Sequence, residues 1–177
     1  MSYFFKNLDE KTRKYMLEEV ELDIKKNFLY KSLRFNEIGN ELYPQILKNA
    51  IEFGNEKTLE KNLLPEYFED DKGKILKIGK YTSVLSTISN RVFSEYEFNK
   101  FYIRAILRRA IEENKEAVIY QAKKSFYYED KKTKTIVGFS IKDPKSVLKS
   151  MRLGFKLESS LNLSSNQRYY GLSVELK

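Results

Sequence analysis

Cations interleaved with aromatic side chains are the residues of this chain best suited to chemistry. Lys123-Lys124-Ser125-Phe126-Tyr127-Tyr128 leads into Lys131, Lys132 and Lys134, and Arg168-Tyr169-Tyr170 comes near the end of the sequence. Lysine and arginine meet phosphates, and aromatic faces stack on unpaired bases. Arg104, Arg108 and Arg109 lie on one predicted helix. The expected site is a basic, aromatic-containing C-terminal surface of Arg104, Arg108, Arg109, Lys123, Lys124, Lys131, Lys132, Lys134, Arg168 and Tyr169 that grips a nucleic-acid backbone. Ordinary roles compete at each position. Arg108 has Glu112 and Arg109 has Glu113 four residues on, and the lysine-rich turn suits a solvated hairpin tip.

Other chemistries are excluded by composition. The sequence has no cysteine and no histidine, which removes disulfides, zinc fingers, thiol nucleophiles and Ser-His or Cys-His pairs. A metal would need oxygen ligands, and a general base would be a carboxylate, lysine or tyrosine. No glycine-rich phosphate loop or other cofactor motif occurs. Gln121-Ala122-Lys123 resembles the end of a restriction-type nuclease motif, which also needs an acidic residue on a neighbouring strand to hold Mg²⁺. Here Glu129 and Asp130 come after it, in the wrong order. Glu18, Glu19, Glu21 and Asp23 crowd one stretch, but only Glu19 and Asp23 share a face, so a solvated acidic face is expected.

Charge divides the chain. Residues 1–71 hold 11 Lys/Arg and 15 Asp/Glu, a balance of −4, and residues 72–177 hold 22 and 10, a balance of +12, together the net +8. Such a split suits a polyanion partner, or an acidic part docking on a basic one. Lys, Asn, Ile, Tyr and Phe are all abundant, a bias that AT-rich genomes produce without selection for binding. With 41% apolar residues and 25 Phe and Tyr, the 177 residues can bury a sizeable core. No window reads as a membrane span, and the opening MSYFFKNLDEK has too short an apolar run for a secretory signal, so a cytoplasmic location is expected. The leading expectation is a non-enzymatic nucleic-acid-binding module, suited to a phage or mobile-element setting. The alternative is a protein–protein assembly component, a homo-oligomer or a subunit joined by head-to-tail acidic and basic contacts. A carboxylate- and Mg²⁺-dependent nuclease ranks third.

The elements that must position these residues centre on 94–114. Ser94 and Glu97 read as a capping box, and Asn114 as the left-handed stop. Two apolar arcs flank a strip of Glu97, Lys100, Arg104, Arg108 and Glu112, expected to be solvated. Asp9 caps a first helix to about Asn27. Gly39 reads as a stop, Pro44 as the first turn of a second helix closed by Gly54, and Asn55 as the cap of a third. Residues 66–73 are a turn-like boundary, and 74–91 are ambiguous between strand and helix. Strands are expected at 117–123 and 170–176, with a hairpin of 126–130 and 135–141 whose Val137, Phe139 and Ile141 point inward. Asp143-Pro144 starts a helix that ends by Gly154, and 158–167 reads as a loop. The fold class is α+β: an acidic helical part, 1–71, then a basic part, 72–177, with a small antiparallel sheet packed on the central helix.

Overall fold

The computed structural model describes residues 3–32, 34–69, 75–78, 81–84, 89–124, 131–163 and 171–177. The fold is α+β, with a two-stranded antiparallel sheet packed on a long helix. Contacts group the chain into two units, 29–98 and 1–28 with 99–177, a division that does not follow the charge split near residue 71.

In the unit of residues 29–98, helix α2 (Glu37–Phe53) starts at Asn36, whose side chain accepts the Gly39 amide at 2.9 Å. Gly39 and Pro44 therefore do not bound the helix as expected; both lie inside it. A Cβ on Gly39 would sit 2.1 Å from the Tyr67 carbonyl oxygen, so close packing, not a stop, explains this glycine. Gly54 does close α2. Asn55 and Thr58 form a capping box on α3 (Glu56–Asn62), followed by a 3₁₀ turn at Pro65–Tyr67. Phe35 bridges Phe68 and packs its ring 5.1 Å from Phe68, 5.2 Å from Tyr43 and 5.5 Å from Phe93. The ambiguous stretch forms a hairpin, β1 (Ile75–Ile78) with β2 (Tyr81–Val84), so Val84 belongs to a strand rather than opening a helix.

Helix α4 (Ser89–Glu113) begins five residues before the expected cap. Ser94 is buried inside it with no hydrogen-bond partner for its hydroxyl among the described residues, and Glu97 instead accepts from Tyr43 Oη at 3.1 Å. The local capping signal loses to the burial of the apolar residues that flank it. Asn114 ends the helix at φ 51°, the left-handed value that Asn tolerates.

In the other unit, α1 (Glu10–Lys25) starts at Asp9, which accepts the Thr12 amide at 2.8 Å. Strand β3 (Ala117–Gln121) pairs with β4 (Leu172–Leu176) in register from Ala117↔Leu176 to Gln121↔Leu172. Ser173 is buried although it alternates with the apolar Leu172, Val174 and Leu176, and its hydroxyl donates to Asn99 of α4 at 2.7 Å. The amide of Asn99 donates to the Leu172 carbonyl at 2.8 Å, tying sheet to helix. On the other edge of β3 the Ile119 amide donates to Phe139 and Ile141 to Ala117, both as backbone bonds. Ile141 points inward, but Val137 and Phe139 are exposed. Residues 131–136, expected as the hairpin's turn and the start of its second arm, are helix α5, and the first arm, 126–130, lies outside the described residues.

Asp143 caps α6 (Pro144–Arg152) by accepting the Ser146 amide at 3.0 Å, and Val147, Leu148 and Met151 are buried. Overlapping the start of the expected loop, Leu157–Ser160 form a short helix, α7.

Candidate nucleic-acid interface

Arg104, Arg108 and Arg109 of α4 are bound to carboxylates. Arg104 is 1% exposed, and its guanidinium donates to Glu19 at 2.7 and 2.9 Å and to Asp23 at 2.7 and 2.9 Å. This corrects the expectation that Arg104, Glu19 and Asp23 are solvated: two carboxylates one turn apart on α1 grip both edges of a planar fork. Burial works against the Arg104 charge, but the Asp23 and Glu19 carboxylates outweigh it and hold its pKa above the ordinary value. Arg108 reaches Glu18 at 2.8 Å and Glu112 at 3.5 Å, and lies 4.3 Å over the Tyr15 ring. Arg109 pairs with Glu113 at 2.7 Å and Asp9 at 2.6 Å.

Lys123 is buried, with its ammonium 5.7 Å from the Tyr3 ring. Lys124 and Lys134 are exposed. Lys131 and Lys132 fall in α5, and Arg168 and Tyr169 lie outside the described residues.

The carboxylates of this network carry a pH signature. For Glu19, burial pushes the pKa up, but hydrogen bonds from Arg152 and the charge of Arg104 outweigh it, leaving the group below its ordinary value. Hydrogen bonds from Arg109, Lys11 and Lys115 hold Glu113 far below the carboxylate range. Asp9 is also lowered, burial being outweighed by the Thr12 amide and Arg109. With folded-state values below unfolded ones, the unfolded chain takes up protons first on acidification. Stability is thus full above the ordinary carboxylate range, about pH 4, and is lost as pH falls through that range toward the lowered values. Urea unfolding followed by circular dichroism at successive pH values is expected to show this decline; a midpoint flat down to about pH 3 would contradict it.

A cationic cleft forms elsewhere, where the end of α1 meets α6. Lys26, Lys145, Lys149 and Arg152 line a space of about 420 Å³. On α6, Lys145, Lys149 and Arg152 recur at i, i+4 and i+7, so they share one face, with Leu148 at its edge and Val147 on the far side. Arg152 is fixed by Glu19 at 2.9 Å. Lys26, Lys145 and Lys149 are exposed and have no carboxylate partner among the described residues. The apolar lining is Phe28, Ile111, Leu148 and Leu153.

Phe28 is placed by the end of α1. Asn27 takes φ 55°, the Phe28 amide donates to the Asp23 carbonyl at 2.8 Å and the Asn27 amide to Ile24 at 3.1 Å. That pair of bonds is a Schellman turn with Asn in the left-handed position. The chain reverses there and leaves the Phe28 ring 58% exposed at the cleft. Sequence reading missed these residues. The spacing of Lys145, Lys149 and Arg152 was the available signal for half of the cleft; nothing local links them to Phe28.

Among the described residues no group of three or more metal-ligating side chains converges, and no helix is long and apolar enough to cross a membrane. Compared with protein-family models, with curated proteins and with solved structures, the chain matches none.

Proposed function

We propose that this chain is a nucleic-acid-binding module that holds its ligand by the phosphate backbone, with the cleft of α1 and α6 as the contact surface. The observation that carries the reading is the cluster of Lys26, Lys145 and Lys149, exposed and without carboxylate partners among the described residues, on one 420 Å³ recess. Three ammonium groups around one concavity, unpaired among the described residues, raise the local positive potential and favour a polyanion. Arg104, Arg108 and Arg109 contribute little to it, because their charge is already met by Glu18, Glu19, Asp23, Asp9 and Glu113. Lys124 is exposed and could meet a longer ligand.

Fluorescence anisotropy with a labelled mixed-sequence oligonucleotide tests this. Affinity is expected to fall steeply with salt, with a log–log slope of about −2 to −3 for three phosphate contacts. Lys145→Ala with Lys149→Ala is expected to reduce the slope by about 2 and to weaken binding for all sequences alike. Absence of binding at low salt, or a flat salt response, would sink the reading.

One observation favours assembly as a second reading. On α2, Ile38, Leu42 and Phe53 fall on one outward stripe, 56%, 39% and 78% exposed, beside the exposed Glu41 and Glu52. An apolar stripe edged by acids complements the basic, partly apolar face of α6 on a second copy. Light scattering through the same salt series separates the readings, since self-association that dissolves with salt, without oligonucleotide binding, supports assembly.

A further inference from the structure

We infer that the cleft takes an unpaired base, so that the ligand is single-stranded rather than duplex nucleic acid; this rests on the backbone-binding reading above. The inference comes from what the cleft has besides charge. A surface that serves only duplex phosphates needs cations at its rim and gains nothing from an apolar floor, because the base faces of a duplex are covered by their stacked neighbours. Here the floor is apolar: Leu148 is buried, Ile111 is half-buried, and the rim carries Phe28 at 58% and Leu153 at 62% exposure.

An unpaired strand offers what matches both parts. Its phosphates meet Lys145 and Lys149, which stand about one helical turn apart, roughly 5.4 Å along α6. Its bases present flat apolar faces that stack on an aromatic ring without regard to sequence. Phe28 is a suitable platform for three reasons. Its backbone is fixed by the turn at Asn27, and its ring stands at a concave site. Lys26, two residues before it, adds a charge beside the same recess. Arg152, planar and held by Glu19, presents a second fixed edge to the recess. A recess of about 420 Å³ is also in the range of small-ligand pockets and large enough to admit one base. The geometry is that of a stacking site bordered by phosphate anchors.

The test compares anisotropy titrations of four labelled probes at one salt concentration. These are a short mixed-sequence single strand as DNA, the same sequence as RNA, the DNA annealed to its complement, and a strand of equal length whose bases are removed but whose phosphates remain. The base-bearing single strands are expected to bind about tenfold or more tightly than the duplex and the abasic strand. Phe28→Ala, at a position 58% exposed, is expected to weaken the base-bearing strands about tenfold and to leave the abasic strand unchanged; Phe28→Tyr is expected to restore binding. A DNA-to-RNA difference reports contacts to the 2′-hydroxyl and leaves the stacking inference standing if Phe28→Ala still discriminates. Duplex and abasic probes bound as tightly as the base-bearing strand, with Phe28→Ala silent, would overturn the inference and leave backbone binding intact. No binding by any probe would remove both.

Discussion

Replacing Arg104 with methionine is expected to lower the unfolding free energy by about 3–5 kcal/mol, enough to leave many domains of this size partly unfolded. The guanidinium is 1% exposed, and both carboxylates that it holds are buried with it. Methionine fills much of the same volume, so packing changes little. What changes is electrostatic: among the described residues Asp23 loses its cationic partner, and Glu19 keeps Arg152 and the more distant Arg108 at 3.6 Å. A buried carboxylate without its counter-ion bears the full cost of desolvation. Lysine is not a substitute, since one ammonium cannot make the two-edged contact that links Glu19 and Asp23. Chemical unfolding monitored by circular dichroism gives the readout. A second variant separates charge from shape. Arg104→Met with Glu19→Met and Asp23→Leu removes every unmatched charge of the core pair and is expected to recover most of the loss, as apolar replacements of buried ion clusters do. A single-variant loss under about 1 kcal/mol would mean that the cluster is solvated after all.

The same cluster shows where sequence reading stops. Asp9 before α1, Asn55 before α3 and Asp143-Pro144 before α6 were legible because a cap acts within one turn of its own helix. The central helix and the terminal strand were legible from apolar periodicity, though β4 buries Ser173 as well as its apolar residues. Arg104 was not legible: its partners are 81 and 85 residues away, and any of the acids on α1 was an equal candidate. The Ser94–Glu97 spacing misled because a capping pattern states what the backbone accepts locally, and a longer buried helix overrode it. Lys131 to Ile136 lacks any apolar rhythm, so its helix had no signature to find. The cleft was half legible. Cations at i, i+4 and i+7 mark one face of α6, but the Phe28 that completes the recess lies more than a hundred residues earlier and arrives only through tertiary packing.

Gly171→Ala is expected to cost about 2–5 kcal/mol, from backbone strain and from two displaced hydrogen bonds. The residue sits at φ 66°, where a side chain is disfavoured on its own. Its carbonyl accepts from the Ala122 amide at 2.7 Å and the Lys123 amide at 3.1 Å, which presses the two backbones together at the entry to β4. A Cβ there would lie 2.0 Å from the Lys123 carbonyl oxygen and 2.8 Å from its carbon, atoms of main chain that cannot rotate aside. Relief therefore requires the entry of β4 to withdraw from β3, and the Leu172 carbonyl, which accepts from Asn99 at 2.8 Å, moves with it. Gly154→Ala is the matched control. It has the same disfavoured sign, φ 92°, but its Cβ would meet nothing within 4 Å, so only the strain of about 1–2 kcal/mol applies. Urea midpoints of the two variants measure the close approach as a difference, and equal losses would show that β4 can shift at its entry without cost. A larger loss at Gly171 locates the constraint in the Lys123 backbone, the point at which β3, β4 and, through Phe4 donating to the Ala122 carbonyl at 2.9 Å, the N-terminal segment are joined.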